Sequence, residues 1–436
     1  MTENDPSAAA QSHSVGPIEL APGVTPRHLY SYLFAATLSI GMFTYLVSLT
    51  PFILSENLGI PESEHGRIIG NLQFLQEIVM LISIGWWGAI SDRVGRRAVY
   101  FISWIIMGVG YSIYAFATSI DQLFIFRIVY ALAIAASTTT LSTILGDYPR
   151  EESRGKLSGI TFFLNGVGAV FFFVGMSKLP AIFQEQGADA ISAGRYAFLI
   201  VAAMAFVTAI VMTGLKPGRP EGVKPKTPAL VLMKEGLLAA RNKRIALAYF
   251  GSFAARADMI VITLFLVLWV VQSSVAEGLS AADAQARAGM YVGITSGAAV
   301  VWAPLFGYLS DKMDRVHVMV IGFLLAGIGY TWLGFLTDVT SFSATIPALI
   351  FVGIGQTSTI LATTVLLGKE APAAYRGSVF GMLNLFGAIG ILGISTGGGY
   401  LYDLISPGAP FVTIGIANTV VFFVALLMAR RSSKTA

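Results

Sequence analysis

The sequence predicts an all-α integral membrane fold, with 12 transmembrane helices as two six-helix bundles. Three observations predict it. Of 436 residues, 55% are hydrophobic and only 12% charged, against roughly 25% charge in soluble domains, which excludes an ordinary soluble enzyme. The apolar residues fall into long runs, and a hydrocarbon core of about 30 Å needs roughly 20 apolar residues per helical crossing. The two apolar blocks, 29–214 and 244–429, are each 186 residues long, the mark of a duplicated half. The absence of cysteine excludes disulfides, thiolate metal sites and cysteine nucleophiles.

Residues 1–28 are polar, rich in Ser, Ala and Pro, and lack the apolar core of a signal peptide; they read as a disordered cytoplasmic tail. The spans predicted from the apolar runs are 29–54, 66–90, 98–117, 122–145, 155–178, 195–214, 244–272, 288–309, 317–336, 345–367, 376–401 and 408–429. The long internal polar stretch, 215–243, holds Lys-Pro-Gly-Arg-Pro at 216–220 and Lys-Pro-Lys-Thr-Pro at 224–228, which reads as a stiff basic cytoplasmic linker running into a short amphipathic helix. Residues 430–436 form a second tail.

Lysine and arginine counts in short loops set orientation. With both termini cytoplasmic, 22 of the 28 basic residues fall on the inner side, and the outer loops hold four: Arg67, Lys178, Arg195 and Arg287. Twelve spans with both ends inside satisfy this alternation, in a bacterial inner membrane. The basic linker residues face anionic lipid headgroups rather than nucleic acid, and the chain is expected to be a monomer.

Two loop motifs recur. Gly88-Ala-Ile-Ser-Asp92-Arg93-Val-Gly95-Arg96-Arg97 is echoed 219 residues later by Gly307-Tyr-Leu-Ser-Asp311-Lys312-Met-Asp-Arg315, and Arg154-Gly155-x-x-x-Gly159 is echoed 222 residues later by Arg376-Gly377-x-x-x-Gly381. The first motif resembles the loop signature of the major facilitator superfamily, with Ile90 in a leucine slot, and the resemblance extends over 29–429. It implies a secondary transporter built from two repeats, with a cytoplasmic latch at Gly88, Asp92, Arg93, Gly95, Arg96, Arg97, Asp311, Arg154 and Arg376. Departures are Ala131, where the family's embedded-arginine motif around Arg127 has glycine, and Asn165-Gly166-Val167-Gly168, which lacks the Gly-Pro pair of drug antiporters. Physically, Asp92 sits at the negative end of its own helix dipole and needs an outside partner, which the N-terminus of the eleventh helix near Gly377 can supply. Arg93, Arg96 and Arg97 have Asp147, Glu151 and Glu152 within loop reach.

Ionisable residues within spans are functional suspects, since each costs a few kcal/mol in the core (about 2.5–3.5 on insertion scales). There are four: Glu77, Arg127, Arg256 and Asp258. Glu77 lies about 22 Å above Asp92 at 1.5 Å per residue, on a stripe with Gln73, Gly70 and Gly66, and is the leading proton-coupling candidate, followed by Asp258. Arg256, about 18 Å deep, shares a helical face with Tyr249 and Ser252, the expected cavity lining. Asp258, two residues on, points the opposite way, so each needs a partner on another helix. Arg127 either snorkels to the outer interface or turns inward toward Glu77. Thr138 in the fourth span, and Gln356 and Thr357 in the tenth, complete the cavity candidates, though such hydroxyls also bond the preceding turn.

The sequence thus predicts a transporter of a small organic solute working by alternating access and coupled to protons, with no enzyme activity, metal or cofactor. Two guanidinium groups lean toward an anionic or carboxylate-bearing substrate. Symport and antiport stay open, including multidrug or metabolite export by proton antiport. A non-transporting receptor or assembly partner of the same fold is the alternative from another class.

Overall fold

The computed structural model describes residues 14–218, 229–372 and 376–432, without the side chains at 229–233, 311, 376, 377, 431 and 432. Two latch positions, Asp311 and Arg376, therefore have side chains outside the described residues, as does most of the basic linker.

The chain is helical throughout its apolar runs: α1 (Pro26–Asn57), α2 (Glu62–Val94), α3 (Arg96–Tyr114), α4 (Ile120–Asp147), α5 (Glu151–Glu185), α6 (Ala190–Met212), α7 (Lys243–Ala276), α8 (Ala281–Lys312), α9 (Arg315–Gly334), α10 (Phe342–Glu370), α11 (Arg376–Leu404) and α12 (Ala409–Ser432). Among the described residues, 11 helices are long and apolar enough to cross a membrane, and the chain is a multi-pass integral membrane protein. The twelfth, α3, has 19 residues but opens on Arg96 and Arg97 and carries three tyrosines, which lower its apolarity. A short linker helix, Ala229–Leu238, precedes α7.

Polar caps start several helices. Asn242 accepts from the Arg244 amide (2.9 Å) at α7 and Asp314 from the Val316 amide (2.9 Å) at α9, pairing amides that have no partner within the helix. Gly95, at φ 107° between α2 and α3, permits a turn that a side chain would strain.

The N-terminal tail needs a correction. Residues 14–19 form an antiparallel hairpin, and Leu20 bridges Pro149, while Ile18, Leu20 and Val24 are buried. Three apolar side chains and the Glu19 amide, which donates to Ser153 Oγ (3.0 Å), suffice to order this segment. Only residues 1–13 of the expected disordered tail lie outside the described residues.

The chain forms two compact units that do not coincide with 29–214 and 244–429. Among the described residues, unit 1 comprises 14–43, 78–169 and 195–218, and unit 2 comprises 44–77, 170–194, 229–372 and 376–432. The boundary cuts α1, α2 and α5 in mid-helix. In unit 1, Tyr130 donates its hydroxyl proton to the Met42 carbonyl (2.7 Å) and so ties α4 to α1. In unit 2, small residues explain why the cut-off segments of α2 and α5 group with the second half. A side chain at Gly70 would strike the Ser395 carbonyl of α11, and one at Gly289 of α8 would strike the Phe173 carbonyl of α5. Glycine lets these backbones approach to contact distance. The apolar core of the second half lies between α7, α9, α10, α11 and α12, around Tyr249, Phe323, Leu366, Leu383 and Val421.

Candidate functional site

The polar stripe of α2 belongs to unit 2. Glu77 is buried, as are Gln73 and Gln76, and Gln73 Nε2 donates to Glu77 Oε1 at 3.0 Å. The Arg256 guanidinium of α7 exerts its positive charge on this carboxylate. Arg256 is held from α11, where its Nη2 donates to Asn384 Oδ1 (3.2 Å), and Gly387 one turn further leaves room for its aliphatic stem. The structure therefore gathers Gln73, Glu77, Arg256 and Asn384 from α2, α7 and α11: a buried carboxylate and amide beside a half-buried guanidinium and an exposed amide. Such a set can hold an ionic ligand, because the guanidinium acts on the carboxylate through space and neutralising either group changes the compensation the other needs.

Asp258 does face the other way. It is fully buried, with Asn418 Nδ2 of α12 donating to Oδ1 (2.8 Å) and the Thr359 hydroxyl of α10 to Oδ2 (3.1 Å). Tyr330 of α9 donates to the Asp258 backbone carbonyl (2.9 Å). It is thus the junction of four helices, apart from Arg256.

Several expected positions turn out otherwise. Tyr249 and Ser252 do not line a cavity: the Tyr249 hydroxyl donates to the Gly236 carbonyl of the linker helix (2.8 Å) with its ring stacked on Phe386, and Ser252 donates to the Leu383 carbonyl (2.9 Å). Shared helical face reports direction, not neighbour, and here the neighbours are α11 and the linker helix. Arg127 does not snorkel; it is 1% exposed, its guanidinium lying over the Tyr114 ring at 5.3 Å and the Tyr130 ring at 6.0 Å, because aromatic faces attract a desolvated cation. Thr138 bonds the Ile134 carbonyl of its own helix (2.8 Å). Thr357 is buried, and Gln356 is half-buried.

At the loop signature, Asp92 pairs with Arg96 at 2.7 Å, and Arg96 also reaches Asp147 at 3.1 Å; the side chain of Arg376, beside the expected partner at Gly377, lies outside the described residues. Arg154 takes Glu151 (2.9 Å); Arg93 is exposed and Arg97 half-buried, and Gly88 faces the Thr139 methyl. The second half carries a cluster of the same kind that the motifs did not reveal: Arg244 with Glu370 (3.1 Å) and Asp314 (3.8 Å). Burial pushes the Asp314 carboxyl up, but the Val316 amide and the Arg244 charge outweigh it and hold the carboxyl below its ordinary value. Asn384 and Asn418 were also missed. Among the described residues, no group of three or more His, Cys, Asp or Glu side chains could hold a metal ion.

The multi-pass helical fold carries ionic and amide side chains within its spans, as membrane transporters do. The chain belongs to the Major Facilitator Superfamily, whose family profile matches residues 32–391 and 248–436. It is 26% identical over 420 residues to the magnetosome protein MamH of Paramagnetospirillum magneticum, covering 94% of both chains, and 26% identical to MamZ of the same organism over 89% of this chain and 61% of that one. It thus spans less than two thirds of MamZ. Among solved structures it resembles the nucleoside transporter NupG (TM-score 0.72, 15% identity, 93% of this chain and 99% of that one) and a bacterial homolog of the human lysosomal transporter Spinster in an inward-facing, unoccupied conformation (TM-score 0.68, 18% identity, 92% and 96%). At these identities the structural likeness speaks to the fold.

Proposed function

We propose that the chain moves a small anionic organic solute across a bacterial inner membrane by alternating access, with both termini cytoplasmic, 12 spans, and coupling to protons through Glu77. The observation that carries this reading is the Glu77, Gln73, Arg256 and Asn384 cluster. Protonating Glu77 removes the negative charge that compensates Arg256, which leaves the guanidinium to take the anion; a proton and an anion then bind together. Asp258, enclosed by Asn418 and Thr359, serves the packing of the second half. The test is Glu77→Gln in proteoliposomes under an imposed pH gradient. Loss of pH-driven uptake or efflux, with expression and melting temperature retained, supports the assignment, and undiminished proton-driven transport removes Glu77 from the mechanism.

The identity to MamH over 94% of both chains favours a second reading of location, a magnetosome membrane. A fluorescent fusion that follows the magnetosome chain, instead of outlining the cell, would establish it.

A further inference from the structure

We propose that Asp403 is the latch that closes the solute path at the end of the helices assigned by the charge count to the outside, and that it positions α2, and with it Glu77, against α11. This inference rests on the transport reading above. Asp403 lies one residue before the end of α11. Its Oδ1 accepts from the Gly66 amide (3.1 Å) and its Oδ2 from the Arg67 amide (2.8 Å). Those two amides belong to the first α-helical turn of α2, which starts at His65, where N–H groups have no partner within the helix and the dipole favours a negative charge. The capping carboxylate of α2 thus comes from a residue 336 and 337 positions away, on a different repeat.

The surroundings bring the same helices together. A side chain at Gly66 would meet Asp403 and the Gly399 carbonyl, and one at Gly399 would meet the Gly66 carbonyl. One turn deeper, Gly70 faces the Ser395 carbonyl. Beside the cap, Tyr402 donates to Gln272 Oε1 of α7 (2.6 Å), and Gln272 Nε2 donates to the Glu62 carbonyl (3.0 Å). Asp403, Tyr402 and Gln272 therefore hold the start of α2 from α11 and α7.

These are the two helices that supply Asn384 and Arg256. Gly66 is 11 residues from Glu77, about 16 Å along α2, so the register fixed at the cap is the register in which Glu77 meets Arg256. At this end the glycine-to-carbonyl contacts hold the α2 and α11 backbones together while the cap holds, so a solute path between them is closed in the proposed scheme. Releasing the two charge-assisted bonds frees the first turn of α2 from α11.

The native chain contains no cysteine, so Ser395→Cys introduces a single reporter, buried in the α2/α11 seam. The experiment measures its labelling by a membrane-impermeant maleimide applied from outside, in the Ser395→Cys protein and in the same protein with Asp403→Ala or Asp403→Asn. Loss of two charge-assisted bonds is expected to raise the labelling rate about tenfold or more in Asp403→Ala, with an intermediate rate in Asp403→Asn, which keeps one acceptor oxygen. An unchanged rate in a cooperatively melting Asp403→Ala protein overturns the latch. If Asp403→Ala fails to fold, Asp403→Asn decides, and an unchanged rate there overturns the latch as well. Faster labelling in a protein that exchanges no solute leaves the latch standing and removes the transport reading; solute exchange with unchanged labelling removes the latch alone.

Discussion

The junction at Asp258 allows a magnitude to be worked from individual contacts. Asp258→Ala removes the bonds to Asn418 Nδ2 (2.8 Å) and Thr359 Oγ1 (3.1 Å). Neither partner is left bare, since Asn418 Nδ2 also reaches the Ile414 carbonyl (3.0 Å) and Thr359 Oγ1 the Gln356 carbonyl (2.9 Å). The loss is therefore two bonds of about 1 kcal/mol each plus a cavity of about three heavy atoms, for a total of about 3 kcal/mol. Asp258→Asn fills the same volume and keeps an acceptor for Asn418, so its expected cost is about 1 kcal/mol. The assay is thermal unfolding in detergent of wild type, both variants, Asn418→Ala and the Asp258→Ala, Asn418→Ala double variant. The double variant is expected to melt higher than additivity predicts, with a coupling of about 1 kcal/mol. An Asp258→Ala protein as stable as wild type, or strictly additive variants, would refute the four-helix junction.

Other contacts give shorter predictions. Tyr249→Phe loses the bond to the Gly236 carbonyl and is expected to cost about 1 kcal/mol, read as a lower melting temperature. Arg127→Lys replaces a flat cation lying over Tyr114 and Tyr130 by a point charge, and is expected to cost about 1–2 kcal/mol in the same assay. For Asp314, a folded-state value held below the ordinary one means that its stabilisation is fully present above the unfolded carboxylate value and is lost as the pH falls through the folded one. The melting difference between wild type and Asp314→Asn should accordingly be largest near neutral pH and shrink in acid; a difference that grows in acid would contradict the sign.

The membrane fold was legible because the lipid requirement is written in the length of apolar runs, and the opposite faces of Arg256 and Asp258 follow from helical spacing alone. Their partners were not legible. Asn384 and Asn418 are single neutral amides in apolar helices, and nothing about their spacing distinguishes them from solitary polar residues. Tyr249 and Ser252 show the complementary failure: their face was right, but it meets the linker helix and α11. Arg127 went to tyrosine rings because aromatic faces compete with the interface for a buried cation, a choice that depends on tertiary neighbours. The ordered segment at Ser14–Val24 escaped notice since three apolar residues in a polar tail carry no periodicity, and the mid-helix cut through α1, α2 and α5 depends on glycine contacts between helices far apart in sequence.

Counterflow is the most direct test of transport. Small organic anions are first screened for thermal stabilisation of the purified protein, and one that stabilises is then loaded into proteoliposomes and exchanged against a labelled trace of itself. Exchange in wild type that is lost in Arg256→Gln, with folding intact, is the predicted result. Stabilisation by the anion without any exchange across the membrane would contradict transport and leave a binding protein with a transporter's fold.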